Sequence, residues 1–136
     1  MDSPGNSRGH LHHVELYVSN LERSLEFWEW FLLHLGYVEY QRWEEGASYL
    51  LGDTYIVFVQ AESRYLEPPY HRCRPGLNHL AFHAASPDDV DEMKRHLDAR
   101  NVPLLYDERY PHAGGPEYYA LFFEDPDRIK VEFVAP

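Results

Sequence analysis

The chain contains two copies of one structural unit, and this internal repeat is what most restricts its fold. Leu11–Val18 resembles Leu77–Ala84 at an offset of 66 residues, and both segments alternate apolar and polar side chains as strands do. Tyr55–Phe58 corresponds to Lys130–Phe133 at an offset of 75 residues, so the second copy is nine residues longer. The insertion is placed most simply at the glycine-rich break His112–Pro116. The sequence therefore predicts an α+β fold of two tandem βαβββ modules.

Each copy carries one helix signal directly after its first strand. The first helix is predicted to begin in the capping-box pattern Ser19–Glu22 and to end at Gly36. The second begins in Ser86–Asp89, with proline at its first helical position, and ends before Asn101. Apolar residues at helical spacing form the predicted buried faces: Leu21, Leu25, Trp28, Leu32 and Leu35 in the first helix, Val90, Met93 and Leu97 in the second.

Short strands separated by turn signals follow each helix. They are predicted at Tyr37–Trp43, Ala47–Leu51 and Tyr55–Gln60 in the first copy, and at Leu104–Glu108, Tyr118–Glu124 and Ile129–Val134 in the second. The predicted layout is a disordered tail over residues 1–9, a first module over 10–61, a polar link over 62–75 and a second module over 76–136. With 136 residues, the two modules are expected to form one structural domain.

Charge and cysteine content restrict the partners. The chain has 12 Lys and Arg against 23 Asp and Glu, a formal net charge of −11, which argues against nucleic acid or an anionic membrane as a partner. No apolar run approaches the roughly 20 residues of a membrane span. Cys73 is the only cysteine, which excludes an intrachain disulfide and fits a reducing cytoplasm. A small-molecule substrate is the expected partner.

Side chains alternate between the two faces of a strand, and this alternation (strand parity) places three potential metal ligands on one surface. Val14, Leu16 and Val18 form an apolar row that a helix can cover, which leaves His13 on the opposite face. The same parity assigns His79 and Glu132 to the helix-free face of the second copy. We therefore expect the helices on the outer faces of a curved mixed sheet, with all three side chains in its cup.

Two imidazoles and one carboxylate suit a divalent cation that keeps open positions for water or substrate. The competing interpretation is coincidence, because nine histidines in 136 residues place some of them on inward faces by chance. His12 is expected on the helix-covered side, where it would pack or cap.

These segments together resemble the vicinal oxygen chelate superfamily, which includes glyoxalase I, fosfomycin-resistance enzymes, extradiol dioxygenases and bleomycin-binding proteins. The resemblance rests on His13-Val14, on Asn78–Phe82 and on the ending Asp125–Phe133, and it covers roughly residues 9–136. It implies a cup that holds one divalent ion (Mn, Fe, Ni, Zn or Mg) and that often forms across a homodimer. It also implies a lyase or isomerase that chelates vicinal oxygens of a small substrate.

The resemblance implies ligand roles residue by residue. His13, His79 and Glu132 match the family's three common ligands. Val57 stands where glyoxalase I has a fourth ligand, and an isopropyl group cannot bind a metal, so the match to glyoxalase I is incomplete. Phe122 stands where extradiol dioxygenases usually carry a tyrosine, and those enzymes are usually twice this long.

Besides a small extradiol dioxygenase, two other branches of the superfamily stay open as alternatives. Fosfomycin-resistance enzymes bind a phosphonate with several basic residues, and the chain offers Arg72, Arg74, Arg109 and Arg128, although it has no clear basic cluster in the cup strands. Bleomycin-binding proteins lack the metal ligands and capture a cationic drug in an acidic, aromatic groove. The net charge and the aromatic content fit such a metal-free binding protein, whereas the retained ligand set does not.

The candidates for proton transfer and substrate contact come from the same face assignment. Glu15 and His83 share the cup face with the ligands, and His112 lies in the glycine-rich break, where a mobile loop can close over substrate. The predicted substrate-contacting residues are Tyr17, Tyr55, Val57, Tyr118 and Phe122.

Overall fold

A computed structural model describes residues 7–136 of the chain. Of the predicted tail, residues 1–6 lie outside the described residues, and residues 7–9 belong to a turn in which the His10 amide donates to the Ser7 carbonyl at 2.9 Å. The chain divides into two compact units at Glu67 and Pro68, inside the predicted link. Neither of the two helices in the described residues is long and apolar enough to span a membrane.

The first unit is a four-stranded mixed sheet with one helix. Its strands pair in the order β1-β4-β3-β2, with β1 and β4 parallel and the other pairs antiparallel. The elements are β1 (His13–Val18), α1 (Leu21–His34), β2 (Val38–Trp43), β3 (Gly46–Leu51) and β4 (Thr54–Gln60).

The second unit repeats this arrangement. Its strands pair in the order β5-β8-β7-β6, with β5 and β8 parallel. The elements are β5 (His79–His83), α2 (Pro87–Ala99), β6 (Leu104–Leu105), β7 (Ala120–Glu124) and β8 (Lys130–Val134). The predicted fold of two βαβββ modules is therefore confirmed.

The helix starts agree with the sequence signals, with one correction. In α2 the Ser86 hydroxyl accepts a hydrogen bond from the Asp89 amide at 3.1 Å, as the sequence predicts. In α1 the cap is Asn20 rather than Ser19, because Asn20 has the extended backbone and its side chain accepts from the Arg23 amide at 3.1 Å. The capping box predicted at Ser19 is thus wrong by one residue.

Both helices cover the apolar strand faces that parity predicts. In α1, Trp28, Phe31 and Leu32 are fully buried, and the Trp28 ring stacks on Phe58 of β4 with centroids 5.1 Å apart. In α2, Val90, Met93 and Leu97 are buried, and the helix packs on β7 and β8. The opposite rows of the first strands are exposed: His13, Glu15 and Tyr17 in β1, and His79, Ala81 and His83 in β5.

The strand predicted over Leu104–Glu108 is much shorter in the structure. β6 ends at Leu105 because Tyr106 adopts a left-handed backbone conformation with φ 58°, which turns the chain out of the sheet. A short 3₁₀ helix over Asp107–Arg109 follows. The Tyr106 conformation has no signal in the sequence, since glycine and asparagine are the residues that normally adopt it.

The turn between β7 and β8 sets the register of the strand that carries Glu132. Asp125 is buried, and its Oδ1 accepts hydrogen bonds from the amides of Asp127 at 2.9 Å and Ile129 at 2.7 Å. In the resulting register Phe122 pairs with Glu132.

Replacing Asp125 should therefore weaken the second unit. We expect Asp125→Ala to lower the free energy of unfolding by about 1–3 kcal/mol, because it leaves amide donors without their acceptor. Asp125→Asn keeps an acceptor oxygen and should lose less. Urea denaturation followed by circular dichroism measures both, and equal losses in the two variants would contradict this role of Asp125.

Candidate metal centre

Two of the three predicted ligands come together on the helix-free face of the second unit. His79 opens β5 and Glu132 lies in the neighbouring parallel strand β8. His79 Nε2 is 3.4 Å from Glu132 Oε1, and the two side chains are 35% and 5% exposed. A carboxylate this buried is costly unless it is partnered, so the contacts of Glu132 determine what this pair can do.

Asn78 determines which nitrogen of His79 faces the carboxylate. The Asn78 Oδ1 lies 2.7 Å from His79 Nδ1, and a carbonyl oxygen can only accept a hydrogen bond. His79 Nδ1 therefore carries the proton, and in the neutral ring the lone pair of Nε2 is directed towards Glu132 Oε1. Two acceptors that face each other in this way require a cation or a proton between them. This donor set fits a divalent metal ion.

Tyr118 holds the other oxygen of Glu132. Its hydroxyl donates a hydrogen bond to Oε2, and this bond raises the pKa of Tyr118 to about 12. Gly114 permits this position of the ring, because a Cβ at residue 114 would overlap Tyr118. Tyr118 thus fixes the carboxylate so that Oε1 is directed to His79.

The residues on both sides of the glycine-rich break form hydrogen bonds to α2. Asp91 of α2 accepts hydrogen bonds from the hydroxyls of Tyr110 and, at 2.6 Å, of Tyr119, and these bonds lower the pKa of Asp91. The His112 ring packs edge-on against Tyr119 with centroids 5.6 Å apart. His112 is therefore held with the residues that face α2, whereas Tyr118 reaches Glu132.

The third predicted ligand, His13, lies in the first unit. Its ring stacks on Tyr55 with centroids 4.6 Å apart and an interplanar angle of 3°. His12 does not lie on the covered side as expected: it precedes β1, is exposed, and places its Nδ1 2.9 Å from His13 Nδ1. Parity does not apply to His12, because it stands outside the regular strand. Within residues 7–136, no group of three or more His, Cys, Asp or Glu side chains is placed to hold a metal ion.

The other predicted site residues of the first unit also lie on its helix-free face. Glu15 is exposed and pairs across β1 and β4 with the buried Val57. Tyr17 is 68% exposed and, with Ala61 and Tyr65, lines a small cavity of about 220 Å³.

The remaining candidates belong to the second unit. Phe122 is buried and pairs with Glu132, and its ring lies 5.4 Å from that of Tyr106. His83 is exposed at the end of β5, four residues from His79 and thus about 13 Å along the strand.

Sequence reasoning missed the supporting residues of the pair. Asn78 was identified only as part of a family motif, although its position directly before a candidate ligand is a usable signal. Gly114 was assigned only to a flexible break. The strand parity that places Glu132 on the helix-free face also places Lys130 there, but Lys130 is not among the predicted site residues.

Residues 10–133 match the family model of the glyoxalase/bleomycin resistance protein/dioxygenase superfamily. The chain belongs to this superfamily. It is 59% identical to the uncharacterized protein YqjT of Bacillus subtilis over 93% of this chain and 98% of that protein. It is 30% identical to the glutathione transferase FosA of Serratia marcescens over 90% of this chain and 77% of FosA.

Solved structures of the superfamily share the fold. A crystal structure from Bacillus halodurans, provisionally described as a glyoxalase, has a TM-score of 0.95 and 57% identity, covering 96% of this chain and 98% of that one. The fosfomycin resistance protein FosX of Listeria monocytogenes, solved with Mn(II) and sulfate, has a TM-score of 0.67 and 21% identity over 94% and 93% of the two chains. FosX thus supports the fold, and it is a distant superfamily member that binds Mn(II).

If His79 and Glu132 hold a divalent ion, Tyr118 should support its binding through Glu132. We expect Tyr118→Phe to weaken the affinity for Mn²⁺ or Zn²⁺ about tenfold, because groups that orient metal ligands contribute on that order. Tyr119→Phe is the matched control, since that neighbouring hydroxyl bonds to Asp91 instead. Competition with a chromophoric chelator measures the affinity. Equal affinities for the two variants would exclude a supporting role for Tyr118.

Proposed function

We propose that the chain is a divalent-metal-dependent enzyme that acts on a small substrate with two vicinal oxygens, as a lyase or isomerase. The observation that carries this proposal is the arrangement of His79 Nε2 and Glu132 Oε1, 3.4 Å apart, with Asn78 holding the proton on the opposite ring nitrogen. An imidazole nitrogen and a carboxylate oxygen arranged in this way can bind the same cation.

The proposed ligands are His13, His79 and Glu132. His13 is supplied by the first unit, either of the same chain or of the second chain of a homodimer. When bound, a divalent ion polarises substrate oxygens and stabilises the negative charge that develops on them. Three protein ligands leave positions on the ion for two substrate oxygens.

Glu15 is the proposed general base. It lies on the face of His13, two residues along β1, and it pairs with Val57, where glyoxalase I has its fourth ligand. Glu15 is exposed on that face and, as a carboxylate, can take a proton. His83 is about 13 Å from His79 along β5, and His112 packs against Tyr119. Both are therefore weaker candidates.

A fosfomycin-resistance activity is the second candidate, and the 30% identity to FosA favours it. The four predicted basic residues have other partners. Arg72 and Arg128 bind Glu124 at 2.7 and 3.4 Å, Arg74 donates to the Pro69 carbonyl, and Arg109 lies 3.9 Å from Glu108. Assays of glutathione addition to fosfomycin and of 2-oxoaldehyde isomerisation, both with metal-loaded protein, distinguish the two activities.

Metal content tests the proposal. We expect about one equivalent of divalent metal per chain in protein made without a histidine tag, and none in His79→Ala or Glu132→Ala. His96→Ala is the control, because His96 pairs with Glu92 on the surface of α2. Elemental analysis gives the ratio directly. Absence of metal after reconstitution would reject the enzyme and favour the metal-free binding protein.

We also propose that the chain forms a homodimer, and its mass in solution tests this. Sedimentation at micromolar concentration should give the mass of two chains, and a monomeric mass would reject the dimer. Metal content measured separately in monomer and dimer fractions then shows whether the site requires the second chain.

A further inference from the structure

Lys130 occupies an unusual position on the helix-free face of the second unit. Its ammonium lies 3.3 Å from the Tyr106 hydroxyl, 5.0 Å from the centroid of the Tyr106 ring and 5.1 Å from that of Phe122. These contacts are a hydroxyl and two aromatic rings. Across β7 and β8, Lys130 is paired with Glu124, whose carboxylate binds Arg72 at 2.7 Å and Arg128 at 3.4 Å. We call Lys130, Tyr106 and Phe122 the Lys130 cluster.

The Lys130 cluster is adjacent to the candidate metal ligands. Lys130 pairs with His79 across β5 and β8, and Phe122 pairs with Glu132 across β7 and β8. Lys130 and Glu132 are two residues apart on one strand, so they share a face and are separated by about 6.6 Å. A small molecule bound at the more exposed His79, which pairs with Lys130, can therefore also reach the ammonium.

The backbone at Tyr106 is strained where it forms the cluster. A tyrosine with φ 58° is uncommon and unfavourable, so the surrounding packing must maintain it. This conformation ends β6 and places the Tyr106 ring edge-on against Phe122, with its hydroxyl at Lys130. The Arg109 guanidinium lies on the same ring, 5.1 Å from its centroid, and its Nε is 3.9 Å from the Glu108 carboxylate.

The other lysine of the chain provides a comparison. Lys94 also lies near a tyrosine ring, 5.4 Å from the centroid of Tyr110. Its ammonium, however, pairs with the carboxylates of Asp98 at 3.3 Å and Asp107 at 3.6 Å. In a chain of net charge −11, Lys130 therefore stands out because its contacts are a hydroxyl and aromatic rings.

We propose that Lys130 and the Tyr106 hydroxyl bind an anionic oxygen group, a carboxylate, phosphate or phosphonate. The ammonium supplies the charge, the hydroxyl donates a hydrogen bond, and Phe122 forms the apolar wall of the subsite. That this group belongs to the substrate rests on the proposed function. The substrate would then be a small molecule with an anionic group near its two chelating oxygens.

Inorganic phosphate is the probe, used with the full chain after metal removal by chelation. Lys94 and Lys130 are the only lysines in the sequence, so protein labelled with ¹³C at lysine Cε gives two lysine signals. Lys94→Met and Lys130→Met assign them. Phosphate should shift the Lys130 signal saturably and leave the Lys94 signal in place, relative to chloride at the same ionic strength.

Two variants test the hydroxyl and the charge. Tyr106→Phe should weaken phosphate binding roughly threefold or more, through the lost hydrogen bond. Lys130→Arg keeps the charge and should retain phosphate binding measured by ³¹P NMR, whereas Lys130→Met should lose it. Equal shifts of both lysine signals, or phosphate binding that survives in Lys130→Met, would overturn the subsite.

Metal titration separates this proposal from the proposed function. Lys130→Met should bind metal at least as tightly as the parent, because it removes a positive charge near the ligands. His79→Ala should lose metal and keep the phosphate-induced shift of Lys130. If the parent binds no metal while phosphate still shifts Lys130, the proposed function fails and the anion subsite stands.

Discussion

The buried carboxylate of Glu132 is the group on which the functional interpretation depends. A carboxylate in this position must have its oxygens satisfied, and the fold assigns them separately: Tyr118 donates to Oε2, and Oε1 faces His79. Asn78 then holds the proton on the far side of the His79 ring, which leaves a nitrogen lone pair directed at the carboxylate. The loop containing Gly114, the β7–β8 turn and the parallel pairing of β5 with β8 each contribute to this arrangement. Within the second unit, the His79–Glu132 pair is thus held in place by residues outside the proposed ligand set.

Much of this arrangement could be predicted from the sequence, because strand parity and internal repetition are simple geometric rules. The repeat predicted both modules, and parity placed His13, His79 and Glu132 on helix-free faces, where the structure has them. The burial of Trp28 and Leu97 follows from helical spacing in the same way. These rules work where the backbone is regular. The wrong predictions lie where regularity ends: at His12 before β1, at the cap residue Asn20 and at the left-handed Tyr106.

The residues that support the site could not be found by such rules. The hydrogen bond from Tyr118 depends on how a glycine-rich loop folds back onto β8, and no periodicity describes that path. The opposite orientations of Tyr118 and Tyr119 are fixed by Asp91 on α2, about 30 residues earlier in the chain. Lys130 obeys parity, yet its significance comes from the aromatic rings around it, and one of these depends on the backbone conformation of Tyr106. Local patterns thus identify a residue that could be a ligand, whereas long-range contacts show whether other side chains hold it in position.

The central claim is that His79 and Glu132 bind one divalent ion, and crystallography with Mn²⁺ or Zn²⁺ tests it most directly. Crystals of the full chain grown with the metal, measured at its absorption edge, give an anomalous difference map that locates the ion. We expect one peak per site, about 2.0–2.3 Å from both His79 Nε2 and Glu132 Oε1, with His13 as a further ligand. A peak bonded to other side chains, or an ordered His79–Glu132 pair without a peak at saturating metal, would contradict it.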